Sequence, residues 1–384
     1  MRRLLILASM MVFFDVTFYS AIAPLLPTYV AEFGLNEAEA GILSAAYAAG
    51  TLVASLPAGF VATRFGPRRT AIGGLLLLGL SSLAFGFARD ITLLDAARLV
   101  QGISGALIWS GALTWLITTA PDDQRGAVIG TALGTAVAGA LVGPGLGAIA
   151  AEIGTEPVFG SVLLIALVLA FLASRLSEAR MPEEQSLREV AARIFGRAVL
   201  TGTALVAVPS LMFGAIEVLV PLRIAALGGS HAVIAAGFVT GAALEAGLAP
   251  VAGRYSDRVG GRSPYSVGLA ICAAAMTVIA VAQVLGVVLA GLIATSLGAG
   301  ICFAPALAML SEAAELSRLH QGFAAGLSNM AWAAGQVAGG VAGGAMASIT
   351  GYAVPSLAIV ALLLTTAAYA RFALTPAAAD PAGG

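Results

Sequence analysis

The chain has 384 residues, of which 59% are hydrophobic and only 10% are charged, and its mean hydropathy is +0.98. A soluble domain carries about 25% charged residues, so this composition excludes an ordinary soluble fold and indicates a membrane protein. The net charge of −1 gives no indication of a nucleic-acid partner. The two cysteines, Cys272 and Cys302, lie in apolar runs. We therefore expect no disulfide framework, no metal site and no cofactor.

Apolar runs of about 20 residues, the length that crosses a bilayer core, recur along the whole chain. They predict an all-α integral membrane protein with twelve transmembrane helices. The first run continues through Asp15 to Pro27, which makes it a span rather than a cleaved signal peptide. The predicted spans, in chain order, are 4–27, 41–62, 70–88, 91–119, 126–150, 157–176, 198–222, 232–253, 264–284, 286–310, 321–349 and 351–372.

Arginine placement predicts the orientation, because positively charged loops stay in the cytoplasm. One side of the predicted topology carries most of the arginines, whereas the other has only Arg89 and Arg223. We therefore expect a protein of the cell (inner) membrane with both termini in the cytoplasm. The predicted outer loops instead carry five glutamates, namely Glu32, Glu37, Glu39, Glu152 and Glu156.

Two series of glycines with the same spacing, 196 residues apart, indicate an internal duplication. They are Gly130, Gly139, Gly143 and Gly147 in span five, and Gly326, Gly335, Gly339 and Gly343 in span eleven. We expect two pseudo-symmetric six-helix bundles, 1–176 and 198–372, joined by a cytoplasmic linker, 177–197, and followed by a cytoplasmic tail, 373–384. The linker fits either a short amphipathic helix at the membrane surface or a solvated connector. Repeated membrane halves are typical of secondary transporters.

A second repeated pattern lies in the predicted cytoplasmic loops after spans two and eight. The first copy contains Gly59, Thr63, Arg64, Gly66, Arg68 and Arg69, and the second, 194 residues later, contains Gly253, Asp257, Arg258, Gly260 and Arg262. The glycines permit a tight turn between helices. The arginines can bond helix carbonyls and acids, for which the candidates are Asp122, Asp123, Glu312 and Glu315. Such pairs would latch the cytoplasmic side shut in one state; alternatively, the arginines only set the topology.

The pattern Gly-x-x-x-Asp-Arg-x-Gly-Arg-Arg in these loops resembles the signature of the major facilitator superfamily. The resemblance covers the whole chain, with twelve spans, two halves and a charged central loop. It implies a monomer that moves a small-molecule substrate across the lipid bilayer by alternating access. Thr63 stands where the family usually has Asp, while the second copy keeps Asp257, so an acidic latch would be weaker in the N-terminal half.

Ionisable residues within spans are rare and usually functional, and the candidates here are Asp15, Arg98, Glu217 and Glu245. At a rise of about 1.5 Å per residue, Asp15 and Arg98 lie at similar depth, so we expect them to meet across a central cavity. A carboxyl in an apolar cavity can gain and lose a proton, which makes Asp15 the first candidate for proton or cation binding. The alternative is a permanent ion pair with Arg98. Glu245 is a similar candidate, and Glu217, near the predicted end of span seven, is either a site residue or an interfacial one.

Two further motifs extend the resemblance. Arg98, Gln101, Gly102 and Gly105 are spaced like the span-four motif of proton-coupled facilitators, in which the arginine is implicated in proton transfer. Span five resembles the antiporter motif of the twelve-span drug:proton antiporter branch, and it departs from that motif only at Ala148. The residues that carry this likeness are Gly130, Gly139, Gly143, Pro144 and Gly147. The copy in span eleven has Gly340 in place of the proline, so only the N-terminal half carries the full motif. The alternative is close helix packing along a stripe of small residues.

Aromatic and weakly polar residues are candidates for the cavity wall, which would suit a lipophilic or amphipathic compound, including a cation. They are Tyr19, Tyr47, Gln101, Trp109, Phe303, Asn329, Trp332 and Gln336. We predict proton-coupled efflux of drug-like compounds or metabolites. The alternatives are a proton-coupled importer of a small nutrient and a membrane sensor without transport. An enzyme is disfavoured, since the sequence shows no metal-ligand cluster, no nucleotide loop and only two histidines, His231 and His320.

Overall fold

The computed structural model describes residues 1–121, 125–178, 194–319 and 321–373. Within these residues the chain forms twelve long helices: α1 (Arg2–Phe33), α2 (Glu37–Phe65), α3 (Pro67–Gly86), α4 (Ile91–Thr119), α5 (Arg125–Ile153), α6 (Thr155–Ser174), α7 (Arg197–Ala226), α8 (His231–Val259), α9 (Arg262–Val281), α10 (Leu285–Leu316), α11 (Gln321–Thr350) and α12 (Ala353–Ala368). Eleven of them, all except the glycine-rich α11, are long and apolar enough to cross a membrane by length and composition. The predicted all-α membrane fold is confirmed.

The helices differ from the predicted spans mainly at their ends. The predicted division between spans nine and ten is confirmed, since α9 ends at Val281 and α10 begins at Leu285. Helix α7 continues to Ala226, four residues beyond its predicted end. The proposed amphipathic helix of the linker falls mostly on 179–193, outside the described residues.

Local signals fix several helix boundaries. Asn36 begins α2 with a capping box, because its side-chain oxygen accepts hydrogen bonds from the backbone of Ala38 and Glu39 while the Glu39 carboxylate accepts one from the Asn36 N–H. Gly66 and Gly260 join α2 to α3 and α8 to α9, with φ of +92° and +83°. A side chain would be strained at such angles. The turns therefore explain these two repeated glycines.

Helix α1 is interrupted halfway along the membrane. Its two segments, Arg2–Ser20 and Ile22–Phe33, meet at Ala21. Pro24 has no N–H, so it cannot donate the helical hydrogen bond to the carbonyl of Ser20. Ala21 keeps right-handed helical angles, with φ of −68° and ψ of −15°, so the interruption concerns the hydrogen-bond pattern. It lies beside the central cavity described below.

The two bundles have equivalent internal packing. The main contacts in the first are α1–α5, α2–α4, α3–α4 and α3–α6, and those in the second are α7–α11, α8–α10, α9–α10 and α9–α12. Each pair in the second bundle is the counterpart of one in the first, six helices later. This correspondence gives the pseudo-symmetry expected from the duplicated glycines.

The glycine series face equivalent neighbours within their own bundles. A Cβ at Gly143 or Gly147 of α5 would collide with the backbone of α1 at Thr17 or Ala21. A Cβ at Gly339 of α11 would collide with the backbone of α7 at Leu211. The two series therefore bring α5 against α1 and α11 against α7, which is the packing role of a small-residue stripe.

The bundles touch each other along α2–α11 and α5–α8. Where α2 begins and α11 ends, a Cβ at Gly41 would collide with the carbonyl of Gly340, and one at Gly344 with the carbonyl of Glu37. We call this end of the molecule the closed end. Towards the opposite end, Gly134 of α5 and Gly247 of α8 face open space, with no atom within 4 Å of a Cβ position.

Candidate functional site

A cavity of about 280 Å³ lies between the two bundles, and we call it the central cavity. Its wall combines the interrupted part of α1 with α5, α7, α8, α10 and α11. Its polar lining residues are Tyr19, Ser20, Glu217, Glu245, Ser296 and Gln336, and its aromatic ones are Phe213, Phe238, Phe303 and Trp332. Two carboxylates thus share a mainly aromatic and apolar wall.

A hydrogen-bond chain crosses from one bundle to the other in this cavity. The Tyr19 hydroxyl donates to Oε1 of Glu217 at 2.7 Å and accepts from Nε2 of Gln336 at 2.9 Å. The ring of Trp332 packs edge-on against the Tyr19 ring, with centroids 5.4 Å apart. Tyr19 therefore joins α1 of the first bundle to α7 and α11 of the second.

Glu217 lies deeper than its position near the predicted end of span seven indicated. The difference arises because α7 extends to Ala226, so Glu217 is well inside the helix and reaches the central cavity. Glu245 of α8 lines the same cavity from the other side. Within the described part of the chain, Glu245 makes no hydrogen bond or ion pair.

Asp15 is fully buried in the first bundle, behind the wall of the central cavity. Its carboxylate accepts hydrogen bonds from the Tyr47 hydroxyl, at 2.9 and 3.0 Å, and from Nε1 of Trp109 at 3.1 Å. Gly105 makes room for this group, since a Cβ there would collide with the Tyr47 hydroxyl. Two neutral donors thus hold the carboxylate.

Among the described residues Arg98 forms no ion pair with Asp15, so the structure does not show the permanent pair that was the alternative interpretation. Its guanidinium donates to the carbonyls of Phe18 and Tyr19 at 3.4 and 3.2 Å, and to Oε1 of Gln101 at 3.1 Å. Tyr47 and Trp109 already donate to the Asp15 carboxylate, while the carbonyls of α1 lie within reach of the guanidinium.

The guanidinium of Arg98 nevertheless lies close to both carboxylate sites. Its Cζ is 5.3 Å from the ring centroid of Tyr47 and 6.0 Å from that of Tyr19, and the two rings are 4.7 Å apart. Tyr47 donates to Asp15 and Tyr19 to Glu217. One buried arginine therefore faces two tyrosines, each bound to a different acid.

The remaining cavity candidates divide into three groups. Tyr19, Phe303, Trp332 and Gln336 line the central cavity. Tyr47, Gln101 and Trp109 instead surround Asp15 and Arg98. Asn329 is half-buried on α11 and is not among the lining residues. Among the polar and aromatic lining residues, the sequence interpretation missed four: Ser20, Phe213, Phe238 and Ser296. Helical spacing around Glu217 and Glu245 would have pointed only to Phe213 and Phe238.

The loop after α2 has a partner that the sequence did not indicate. The backbone N–H of Arg68 donates to Oε1 of Glu178 at 2.9 Å, and its Nε lies 3.3 Å from Oε2. Its guanidinium also donates to the carbonyls of Ser174 and Leu176, at and just beyond the end of α6. This arginine thus satisfies helix C-terminal acceptors within its own bundle.

The other loop residues show no comparable anchor. The Thr63 hydroxyl donates to the carbonyl of Phe60 in its own helix, at 2.9 Å. Asp257 and Arg258, in the second copy, are exposed. The proposed partners Asp122 and Asp123 lie outside the described residues. Gly59 and Gly253 stand within helices and face open space, so no turn requires them.

The fold and the cavity define a multi-pass membrane transporter built from two helical bundles. A family model described as the Major Facilitator Superfamily matches residues 5–244 and 208–383. The chain belongs to this superfamily.

Curated relatives include transporters and resistance proteins. The chain is 34% identical over 172 residues to the MFS-type transporter ppzB of Metarhizium rileyi, covering 43% of this chain and 36% of that protein. It is 28% identical over 170 residues to Multidrug resistance protein 1 of Bacillus subtilis, covering 44% and 43%. It is 24% identical over 210 residues to Quinolone resistance protein NorA of Staphylococcus aureus (strain MSSA476), covering 52% and 53%. The matches thus span about a third to a half of the length of these relatives.

Solved structures share the fold over nearly the whole chain. A D-xylose–proton symporter has a TM-score of 0.76 at 16% identity and covers 97% of both chains. A bacterial homolog of the human lysosomal transporter Spinster, inward-facing and unoccupied, has a TM-score of 0.75 at 13% identity and covers 96% of both. At this level of identity the likeness concerns the fold alone.

Proposed function

We propose that this transporter exports lipophilic or amphipathic compounds, including drug-like cations, in exchange for protons. The observation that carries the proposal is the central cavity, where Glu217 of α7 and Glu245 of α8 line a wall that is otherwise mainly aromatic and apolar. Aromatic faces and carboxylates together suit a lipophilic cation and disfavour a polyanion. Two of the relatives, a multidrug resistance protein and a quinolone resistance protein, support this substrate class.

Proton exchange follows from the electrostatics of these acids. Burial penalises a charged carboxylate, and either a proton or a bound cation removes the penalty. A proton and a cationic substrate therefore compete for the same carboxylates, which is the requirement of an antiporter. Asp15 is the third acid, and it is linked to the cavity through Tyr47, Arg98 and Tyr19.

We assign the closed end to the outside of the cell membrane and both termini to the cytoplasm. The arginine distribution supports this orientation. Alternating access then requires the contacts at the closed end to separate while the arginine-rich loops approach each other. In that scheme residues 1–176 and 198–372 move as two bundles joined by the linker, 177–197, and the paired loops form the cytoplasmic latch.

Everted membrane vesicles test direction and coupling together. With an acid interior, vesicles that contain the transporter should accumulate ethidium or a quinolone and release it when the gradient is collapsed. Asp15→Asn should abolish this accumulation at normal membrane expression, because the amide cannot carry the proton. Asp90→Asn is the matched control, since Asp90 is an exposed helix cap that Asn can replace.

Two outcomes would contradict the proposal. Gradient-driven uptake into right-side-out vesicles, with none into everted ones, would identify an importer. Unchanged accumulation with Asp15→Asn would remove Asp15 from proton coupling.

A further inference from the structure

A second cavity, of about 240 Å³, lies between α2, α4 and α11, apart from the central cavity. We call it the α2–α4–α11 cleft. Its wall includes Ile42, Ala46, Asp95, Leu99, Val337 and Val341. Ile42, Leu99 and Val341 are 46%, 40% and 39% exposed, so this cleft opens on the apolar outer surface that contacts lipid.

Asp95 is the one polar residue on the described wall of this cleft. Its Oδ1 atom is buried and has no hydrogen-bond partner among the described residues. Helix α4 does not need it as a cap, because Asp90 already accepts a hydrogen bond from the N–H of Leu93 at 2.9 Å. Asp95 as a whole is only half-buried. Its carboxylate can therefore accept hydrogen bonds from a donor group that enters the cleft.

We propose that the α2–α4–α11 cleft binds a single-chain amphipathic amine that enters from the bilayer, with its ammonium on Asp95 and its chain along the apolar walls. Charge complementarity requires a cation, and the lipid-facing opening requires an apolar chain. The cleft volume of about 240 Å³ is many times the space that one water molecule needs. It therefore accommodates an ammonium group and the first carbons of a chain, while the rest of the chain lies in the bilayer.

Occupancy of this cleft would act on the transport cycle. Its α2 and α4 walls belong to the first bundle, whereas Val337 and Val341 belong to the second. The cleft is therefore complete only while α2 and α11 are in contact. A ligand that binds one conformation shifts the equilibrium towards it, so an amine here would hold the closed end shut and slow transport.

Cysteine protection tests the site directly. Val341→Cys places a thiol on the wall, and the native Cys272 and Cys302 are fully buried, so labelling by N-ethylmaleimide reports the new thiol. The protein is studied in nanodiscs of phosphatidylcholine, with dodecylammonium as the probe and dodecanol as its uncharged analogue. Dodecylammonium should slow labelling in a saturable way, and dodecanol should not.

The role of Asp95 is tested in the same background. Adding Asp95→Asn should raise the half-protecting concentration of dodecylammonium by about tenfold or more, because the charged partner of the ammonium is lost. Adding Asp90→Asn should leave it unchanged, since Asp90 is on the same helix but outside the cleft.

Three outcomes would overturn the proposal. Equal protection with and without Asp95→Asn would show that the carboxylate binds nothing, and equal protection by dodecanol would show an apolar groove without charge recognition. A second set of nanodiscs contains phosphatidylethanolamine and no added amine. Protection of the thiol in these discs would show that the occupant is a membrane lipid. None of these results depends on proton-coupled export, so the site and the proposed function can fail separately.

Discussion

Tyr19→Phe is the most direct test of how the two bundles are held together. The substitution keeps the ring, which packs against Trp332, and removes only the hydroxyl. That hydroxyl donates to Glu217 at 2.7 Å and accepts from Gln336 at 2.9 Å, and both partners belong to the second bundle. The change therefore deletes the cross-bundle hydrogen bonds at the central cavity without creating a large void.

The size of the effect follows from these two bonds. A neutral hydrogen bond contributes about 1 kcal/mol net, and one to a charged group contributes about 1.5–3 kcal/mol. When the bundles separate, water can solvate the freed groups, so we expect a loss of about 2 kcal/mol from the state in which the closed end is shut. Every ~1.4 kcal/mol changes an equilibrium constant tenfold. The ratio of molecules in which the two bundles touch at the closed end to molecules in which they are separated there should therefore fall by roughly 30-fold.

Spin-label distances at the closed end measure this equilibrium. Glu32→Cys on α1 and Ile349→Cys on α11 are both exposed there, and the native cysteines are buried. Electron–electron distance distributions should show a new, longer population in Tyr19→Phe. Tyr29→Phe is the control, because Tyr29 packs on Phe33 and Phe85 within the first bundle and does not join the two bundles. Identical distributions for the two variants would refute the reasoning that Tyr19 joins the bundles.

Two further predictions concern the glycines. Gly143→Leu should lower the thermal unfolding midpoint of the purified protein, because overpacking against α1 costs about 1–3 kcal/mol or more. Gly145 faces open space, so Gly145→Leu should be neutral or slightly stabilising. Equal midpoints for the two variants would show that the glycine series is not a packing surface. Gly41→Leu should force α2 away from Gly340 and increase the long-distance population of the same label pair, and Gly59→Leu on the same helix should not. An unchanged distance distribution in Gly41→Leu would mean that α2 and α11 accommodate the added side chain without separating.

For Asp15 and Arg98, the helical rise predicted the depth of the two groups but not their hydrogen-bond partners. The rise per residue placed the two groups at similar depth, and they do lie near each other, on either side of the Tyr47 ring. Depth along a helix says nothing about competing partners, however. The carbonyls of α1 lie within reach of Arg98, while Tyr47 and Trp109 offer donors to Asp15. The permanent ion pair, which was the alternative interpretation, therefore does not form, and proton binding at Asp15 stays a prediction.

The sequence by itself determined the membrane class, the twelve helices and the duplication. These properties depend on the length of apolar runs and on spacings along the chain, which are local. It also marked Asp15, Arg98, Glu217 and Glu245, because an ionisable residue in an apolar run stands out whatever surrounds it.

Only the tertiary structure decided which groups meet. Tyr19 and Glu217 are 198 residues apart, and Tyr19 and Gln336 are 317 apart. Pairings at such separations depend on how two bundles dock, which no helical period specifies. The unpartnered Asp95 is the opposite case: in sequence it is one of two acids near the start of α4, and only the packing of α2 and α11 around it makes it a candidate site.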